Sequence, residues 1–164
     1  MQRNFRLGLA VAALALLSLA LSGTASASGS SRSTVHVIER ALTDTVVNVT
    51  ASTDHTGDLL TFHNLLYDKA DKNTVGSDRG DCIRIETGAS GTWECRWTNF
   101  LAGGQITVEG PFNDASNTVL SITGGTGVYS QARGQMKLVS FVNPVTKVQE
   151  YDFIFELNRG QSGD

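Results

Sequence analysis

Residues 104–138 constrain the fold most, because glycine-rich breaks separate three short β-patterned runs at 105–109, 118–123 and 135–138. In the second break, residues 124–127, three of the four residues are glycine. Glycine adopts positive φ and lets backbones approach closely, so this cluster predicts a tight turn or a close strand contact in an all-β protein. A phosphate-binding loop requires a helix directly after the glycines, and residues 128–134 are too short for one.

The rest of the chain is also patterned as strands. Eight are predicted, at residues 35–40, 59–67, 82–87, 92–101, 105–109, 118–123, 134–141 and 148–157. The last alternates Tyr151, Phe153, Phe155 and Leu157 on one face. The pattern favours a closed eight-stranded antiparallel barrel, which leaves no free sheet edge, and an open sandwich is the alternative.

The N-terminus has the features of a secretory signal peptide. Arg3 and Arg6 precede an apolar run at 7–21, and Ala25-Ser26-Ala27 is a small-x-small cleavage site. The apolar run is too short for a membrane span, so we predict export with no stable membrane insertion after cleavage near Ala27. The predicted organisation is a signal peptide at 1–27, a flexible lead at 28–33 and a barrel domain at 34–159.

The charge balance argues against some partners. Cleavage removes two of the 13 basic residues and none of the 16 acidic ones, so 11 basic residues remain and the net charge becomes −5. This disfavours nucleic acid and anionic membrane surfaces. The histidines (His36, His55 and His63) show no metal-ligand spacing with the cysteines, and no serine has a nucleophile-elbow context. We therefore predict no metal or cofactor, and a barrel cavity that holds an apolar small molecule.

Two cysteines, Cys82 and Cys95, are nearly equidistant from the tip of a predicted hairpin. In an exported protein this favours a disulfide, and two free buried thiols are the alternative. The alternation raises a conflict. If the core face holds the isoleucines and tryptophans of this hairpin, Cys82 faces outward beside a charged ladder. The core set is Ile83, Ile85, Trp93, Cys95 and Trp97, and the ladder is Arg84, Glu86, Glu94 and Arg96. A β-bulge would remove the conflict.

Two motifs resemble the allene oxide cyclase family and, more distantly, the dirigent proteins. Residues 57–68, GDLLTFHNLLYD, are similar to the cyclase pattern GDL-x-x-F-x-N-x-LYD. Residues 110–112, GPF, and 120–138, LSITGGTGVYSQARGQMKL, resemble a signature that both groups carry late in the barrel. The resemblance covers roughly residues 57–157 and favours the barrel over the sandwich.

The resemblance implies a set of site residues. Leu60, Phe62 and Asn64 match positions that line the cyclase pocket, and Asn64 would help to hold a water against an epoxide oxygen. Glu39 matches a glutamate that assists epoxide opening through its charge, and Cys82 matches a pocket cysteine. Each also has a plain structural interpretation: Asn64 as a partner of backbone groups, Glu39 as a solvated strand residue, and Cys82 as half of a disulfide.

The sequence also departs from the family. No Ser-Pro pair follows the first strand within residues 40–54, and Phe112 replaces a tyrosine, so a hydroxyl is missing. Trp93 and Trp97 would add bulk to the lumen. Secretion suits a short-lived allene oxide poorly, so a relative that does not make the plant oxylipin is expected.

The resemblance therefore implies a cofactor-free isomerase or cyclase for an apolar unsaturated or epoxide-bearing molecule, assembled as a homotrimer. The alternatives are a small-molecule carrier or dirigent-like guide, and a structural protein whose cavity is filled by Trp93, Trp97 and Phe62.

Overall fold

The computed structural model describes residues 31–159, so the predicted signal peptide lies outside the described residues. Strands account for most of the described chain. They are β1 (Ser31–Arg40), β2 (Thr45–Val47), β3 (Leu59–Phe62), β4 (Leu65–Asp68), β5 (Thr74–Glu86), β6 (Thr92–Leu101), β7 (Gly104–Asn113), β8 (Thr118–Gly125), β9 (Ala132–Val142) and β10 (Gln149–Arg159). A 3₁₀ turn, Gly127–Tyr129, joins β8 to β9. Within residues 31–159, no helix is long and apolar enough to cross a membrane.

The strands close into an antiparallel barrel. β3 and β4 pair with successive parts of β5, β1 pairs with both β4 and β10, and the β5–β6 pairing completes the ring. With β3 and β4 counted as one interrupted strand, the barrel has eight strands, and β2 pairs with β3 beyond the end of β1. The predicted closed eight-stranded barrel is confirmed, and the open sandwich is wrong.

Three strand boundaries differ from the predictions. The predicted strand at 59–67 is interrupted at residues 63–64, between β3 and β4. β1 begins at Ser31, inside the predicted flexible lead, because it pairs with β10 along its whole length. β5 begins at Thr74 rather than at residue 82. Its first half was not predicted, because Gly76 and Gly80 interrupt the strand pattern of the sequence there. A Cβ on Gly80 would lie 2.3 Å from the Cβ of Trp97, so glycine there reflects close packing and not a turn.

The glycine cluster forms the predicted turn. Gly124 and Gly125 end β8, and Gly127 has φ of 58°, in the left-handed region. A Cβ on Gly127 would also lie 2.1 Å from the carbonyl oxygen of Gly103, so both conformation and space require glycine.

The core fills the barrel interior with inward-facing side chains of every long strand. On β10, Phe153, Phe155 and Leu157 are buried as the alternation predicts, and Tyr151 is half-buried. Residues of the same class from the other strands complete the core, among them Val37, Leu66, Trp97, Ile106, Val108, Leu120, Ile122, Met136 and Leu138.

The predicted Cys82–Cys95 disulfide is present, and its two residues are directly opposite each other on β5 and β6. Both cysteines are buried, so the outward orientation considered for Cys82 is wrong. Ile83 and Ile85 instead face outward, with 48% and 50% of their surface exposed.

The predicted outer charge ladder is also wrong at Arg84. This residue pairs with Trp93 on the inner face, is 4% exposed, and forms ion pairs with Asp54 and Asp114. The β5–β6 register shifts only after Arg84, so the cross-strand disulfide fixes which face of β5 is inside and the two carboxylates compensate the buried charge.

Candidate functional site

A pocket opens inside the barrel. It has about 400 Å³ of unfilled space when its open mouth is included, and the centres of water molecules can occupy about 50 Å³ of it. The lumen is therefore narrow. The lining residues come from seven of the eight barrel strands and from the segment after β1. They are Glu39, Asp44, Leu60, Phe62, Cys82, Cys95, Trp97, Phe112, Leu138, Tyr151 and Phe153.

Five of the eleven lining residues are aromatic. Trp97 contacts Phe62 edge-on with ring centroids 5.9 Å apart, and Phe153 lies 5.6 Å from Trp97 on the other side. Phe112 packs edge-on against Tyr151 at 5.7 Å. The structure thus places Leu60, Phe62, Phe112 and Trp97 on the pocket wall, and their role in substrate binding stays a prediction.

Trp93 does not line this pocket. The guanidinium of Arg84 lies 4.7 Å from its ring centroid, and its indole N–H donates to Asp114 at 3.1 Å. Trp93 therefore belongs to the charged cluster around Arg84.

Glu39 is the buried carboxyl group of the pocket wall. It projects inward from β1, is only 5% exposed, and accepts a hydrogen bond of 2.7 Å from Asn64 Nδ2. Burial, followed by the nearby Asp78, raises the pKa of Glu39 well above its usual range. Burial and the neighbouring acid therefore favour the protonated form of this carboxyl, whereas the family resemblance implied a role through its negative charge.

Asn64 lies at the break between β3 and β4, beside Glu39 but outside the pocket lining. Its Oδ1 accepts bonds from the backbone N–H groups of Leu42 and Thr43, at 3.1 and 3.0 Å, and from the Thr43 hydroxyl at 3.0 Å. Its Nδ2 group donates one hydrogen bond to Glu39 and a second, of 2.8 Å, to Asp44. Because protein groups use the whole amide, Asn64 positions Glu39 and holds the segment after β1.

Asp78 on β5 is a third member of this cluster, and sequence reasoning did not identify it. It is fully buried; its Oδ1 accepts the backbone N–H of Asn64 at 3.0 Å, and its carboxyl group is within hydrogen-bond range of Glu39. Burial raises the pKa of Asp78 to about 7. The glycines around it made this part of the chain resemble a loop, so no sequence signal marked the carboxyl group as buried.

Tyr151 is a pocket residue that sequence reasoning did not identify as part of the site. It is directly opposite Glu39 in the β1–β10 register, lines the pocket and packs on Phe112. Burial raises the pKa of Tyr151 above its ordinary value, so the hydroxyl stays protonated. The hydroxyl missing at Phe112 is thus present on a neighbouring side chain. The alternation with Phe153 and Phe155 was the signal that Tyr151 faces inward.

The polar end of the pocket is acidic. Glu39 and Asp44 line it, and no lysine, arginine or histidine is among the lining residues. Within residues 31–159, no group of three histidine, cysteine or acidic side chains is arranged to hold a metal ion. The arrangement can donate protons or hydrogen bonds to an oxygen atom of a molecule that otherwise contacts apolar walls.

Comparison with known proteins places this barrel in context. The family model described as allene oxide cyclase matches residues 36–158. A pyocyanin demethylase is 21% identical with a TM-score of 0.62, over 75% of this chain and 100% of the other. A pterocarpan synthase dirigent protein is 16% identical with a TM-score of 0.63, over 79% and 97%. A Diels-Alderase from Streptomyces koyangensis is 11% identical with a TM-score of 0.60, over 84% and 72%.

The structural neighbours, all below 25% identity, show that the fold is shared by proteins with different reactions. The family-model match is the evidence for family membership, because it covers residues 36–158, from β1 into β10. The resemblance found in the sequence is confirmed: this chain belongs to the allene oxide cyclase family.

Proposed function

We propose that this protein is a cofactor-free isomerase or cyclase that acts on an apolar, unsaturated or epoxide-bearing small molecule in the barrel lumen. The observation that carries the proposal is the buried Glu39 carboxyl group, fixed by Asn64 in a wall that is otherwise largely apolar. Family membership supports a cyclase-like or dirigent-like barrel.

In the proposed reaction the aromatic walls hold the substrate in one reactive conformer, and Glu39 donates a hydrogen bond to its oxygen. As an epoxide C–O bond breaks, its electron pair stays on oxygen, which takes the Glu39 proton. In a substrate whose oxygen-bearing epoxide carbon also carries a C=C bond, this opening leaves a hydroxyallyl cation, which closes a carbon–carbon bond with a second alkene. The positive charge then rests on the carbon that bears the hydroxyl, and this protonated carbonyl returns its proton to the carboxylate. The atoms of substrate and product are the same. Orientation and a preorganised donor of this kind lower a barrier by several kcal/mol.

This proposal changes two roles that the resemblance implied. Glu39 acts through a proton rather than through a charge, because its burial opposes ionisation. Asn64 acts as a positioning residue for Glu39, since its amide has no free donor for a substrate-bound water.

The alternative is a carrier or a dirigent-like guide that binds a reactive intermediate without catalysis. The narrow lumen favours it, because about 50 Å³ accessible to water centres leaves a substrate little room to change shape. The structural-protein alternative is weaker, because Trp97 and Phe62 line the pocket without filling it.

Two measurements test the proposal. Mass spectrometry of what organic solvent extracts from the purified folded protein identifies a bound compound. That compound and a set of neutral unsaturated epoxides are then assayed for isomerisation with the wild type, Glu39→Gln and Glu94→Gln. Glu94 is the matched control because it is exposed on the outer face of β6.

We expect Glu39→Gln to lose at least tenfold in kcat while retaining binding, and Glu94→Gln to match the wild type. Equal turnover by Glu39→Gln would contradict the catalytic role. Binding by all three proteins with no turnover by any would favour the carrier or guide.

We further propose export to an oxidising compartment, which the Cys82–Cys95 disulfide supports. Expression of the full chain in a bacterial host should yield an exported protein whose mass lacks residues 1–27. Cytoplasmic protein that keeps the leader would contradict this.

We also propose that a homotrimer covers an outer aliphatic strip formed by Val47, Leu59 and Ile83. These residues are neighbours across β2, β3 and β5, and Val47 and Ile83 are exposed. Light scattering should give the trimer mass for the wild type and a smaller mass for Ile83→Lys. Val145→Lys, on an exposed loop, is the control. A monomeric wild type would overturn the trimer.

A further inference from the structure

The carboxyl groups of Glu39 and Asp78 lie together in the barrel interior. Asn64 bonds both, through its side-chain amide to Glu39 at 2.7 Å and through its backbone N–H to Asp78 at 3.0 Å. In return, the backbone N–H of Asp78 donates to the Asn64 carbonyl at 3.0 Å. The break between β3 and β4 thus fixes the two carboxyl groups relative to one another.

No positive charge compensates this pair. Within the described part of the chain, neither Glu39 nor Asp78 forms an ion pair. The groups that face the pair are Asp44 from the segment after β1, Tyr151 from β10 and the uncharged Asn99, which lies opposite Asp78 on β6. Two adjacent carboxylates with a third nearby cannot all ionise in a buried site at modest cost.

Two buried oxygen atoms at this carboxyl pair lack a hydrogen-bond donor among the described residues. They are Asp78 Oδ2 and Asn99 Oδ1. Such acceptors are rare, because a buried polar atom without a partner costs free energy. A proton shared with Glu39 would give Asp78 Oδ2 a donor.

We propose that Glu39 and Asp78 hold one proton between their carboxyl groups, and that Asp78 thereby keeps Glu39 in the form that donates a hydrogen bond to a ligand oxygen. Asp78 is a positioning residue in this scheme, since it does not line the pocket. When the ligand takes the proton, the negative charge that remains is spread over the pair, and the proton returns to the pair when the product forms.

The shared proton also defines a ligand class, and this part rests on the proposed function. Three donors then belong to pocket-lining residues: the Glu39 proton, the Tyr151 hydroxyl, and the Trp97 indole N–H, which is buried and has no acceptor among residues 31–159. With no cation in the lining and an acid at Asp44, the pocket should take a neutral molecule that bears a carbonyl or epoxide oxygen, and should reject a carboxylate.

Infrared spectroscopy of the ligand-free protein tests the shared proton independently of any reaction. At about pH 6 the wild type should show the carbonyl stretch of a buried un-ionised carboxyl group, which disappears as the pH rises through the raised pKa values of the pair, about 7 for Asp78. Asp78→Asn should shift the disappearance of this band to lower pH, because it removes the nearby acid that, after burial, does most to raise the pKa of Glu39. Asp81→Asn, the same substitution on the partly exposed outer face of β5, should leave the titration of the band unchanged.

Absence of the band in the wild type would overturn the proposal, even if the variants failed to fold. A band in Asp78→Asn that titrates at the same pH as in the wild type would also overturn it, because Glu39 would then hold its proton without any contribution from Asp78.

The ligand class has its own test, with cyclohexenone and cyclohexanecarboxylate as probes in ligand-observed NMR. Wild-type protein should bind the enone, and Asp78→Asn should bind it at least tenfold more weakly. Binding of the carboxylate as strong as that of the enone would overturn the ligand class while leaving the infrared result in place.

Discussion

At the level of single residues, Asn64 joins three parts of the barrel that no continuous strand connects. Its side chain makes hydrogen bonds to the segment after β1, to Glu39 and to Asp44, and its backbone bonds to Asp78 on β5. Each of these groups would lose a buried or half-buried partner if the amide were removed. A partner left unsatisfied in such a place costs about 1–3 kcal/mol.

Replacing Asn64 by leucine should therefore destabilise the protein by at least about 3 kcal/mol, because several donors and acceptors lose their partner together. Chemical denaturation measures the free energy of unfolding. Asn48→Leu, on the exposed loop after β2, should change it by less than about 0.5 kcal/mol. Equal stability of Asn64→Leu and the wild type would mean that the bonds of Asn64 are not needed for the fold.

The glycine turn offers three matched single-residue changes. Gly127→Ala introduces a Cβ at positive φ, and Gly125→Ala places one 2.4 Å from the carbonyl oxygen of Tyr129. Each should cost about 1–3 kcal/mol. Gly124→Ala has no atom nearer than 3.9 Å to its new Cβ and should be nearly neutral. Thermal melts that coincide for all three variants would contradict the strain assigned to the turn.

Among the elements, the β5–β6 pair determines which side chains enter the barrel. The disulfide places Cys82 and Cys95 inside, so the residues two positions along each strand, Arg84 and Trp93, are inside as well. Arg84 is tolerated there because Asp54 and Asp114 bind its guanidinium and the ring of Trp93 lies beneath it. The same disulfide also lines the pocket, so one covalent bond links the stability of this pair to the site.

Loss of the disulfide should destabilise the barrel by roughly 3 kcal/mol, the chain-entropy value for a loop of this size. The double variant Cys82→Ala/Cys95→Ala should melt at a lower temperature than the oxidised wild type. A reducing agent should lower the melting temperature of the wild type and leave the double variant unchanged, which serves as the control. Thiol titration of exported, denatured, unreduced protein should find no free thiol, and two thiols per chain would show that the bond does not form in the cell.

For the whole molecule, the acidic groups fall into two sets with opposite pH dependence. Backbone N–H donors lower the pKa of Asp54, Asp58 and Asp68, so their contribution to stability is present above about pH 4 and is lost as the pH falls. Burial raises the pKa of Glu39 and Asp78. Their contribution is complete below about pH 4 and is lost as the pH rises through their folded-state values, about 7 for Asp78.

The free energy of unfolding should therefore be greatest near about pH 4 to 5 and should decrease towards pH 7. The slope should approach about 1.4 kcal/mol per pH unit for each proton that the folded protein binds and the unfolded chain does not. Urea denaturation at several pH values measures this slope. Asp78→Asn should flatten it, and Asp81→Asn should retain it. Wild-type stability that rises from pH 5 to 7 would contradict a protonated pair in the folded state.

Local sequence pattern predicts much of this architecture, because strand periodicity and turn glycines depend only on residues that are neighbours in the sequence. The alternation of Phe153, Phe155 and Leu157 and the turn at Gly127 were both predicted, since each depends on a few neighbouring positions. The family motif extended this to the pocket positions Leu60 and Phe62. The first half of β5 was missed, because Gly76 and Gly80 allow close contact with the far half of β6, and this contact exists only once the β5–β6 hairpin is paired.

The sequence by itself predicted an all-β fold and favoured a Cys82–Cys95 disulfide, and the family resemblance favoured the closed barrel and pointed to Glu39 and Asn64 as candidate site residues. Only the tertiary structure decided that Cys82 and Arg84 face inward, that Tyr151 is opposite Glu39, and that Asp78 is adjacent to Glu39. The physical reason is the same in each case. The face of a strand and the protonation of a carboxyl group depend on cross-strand register and burial, which arise only when distant segments pair and exclude water.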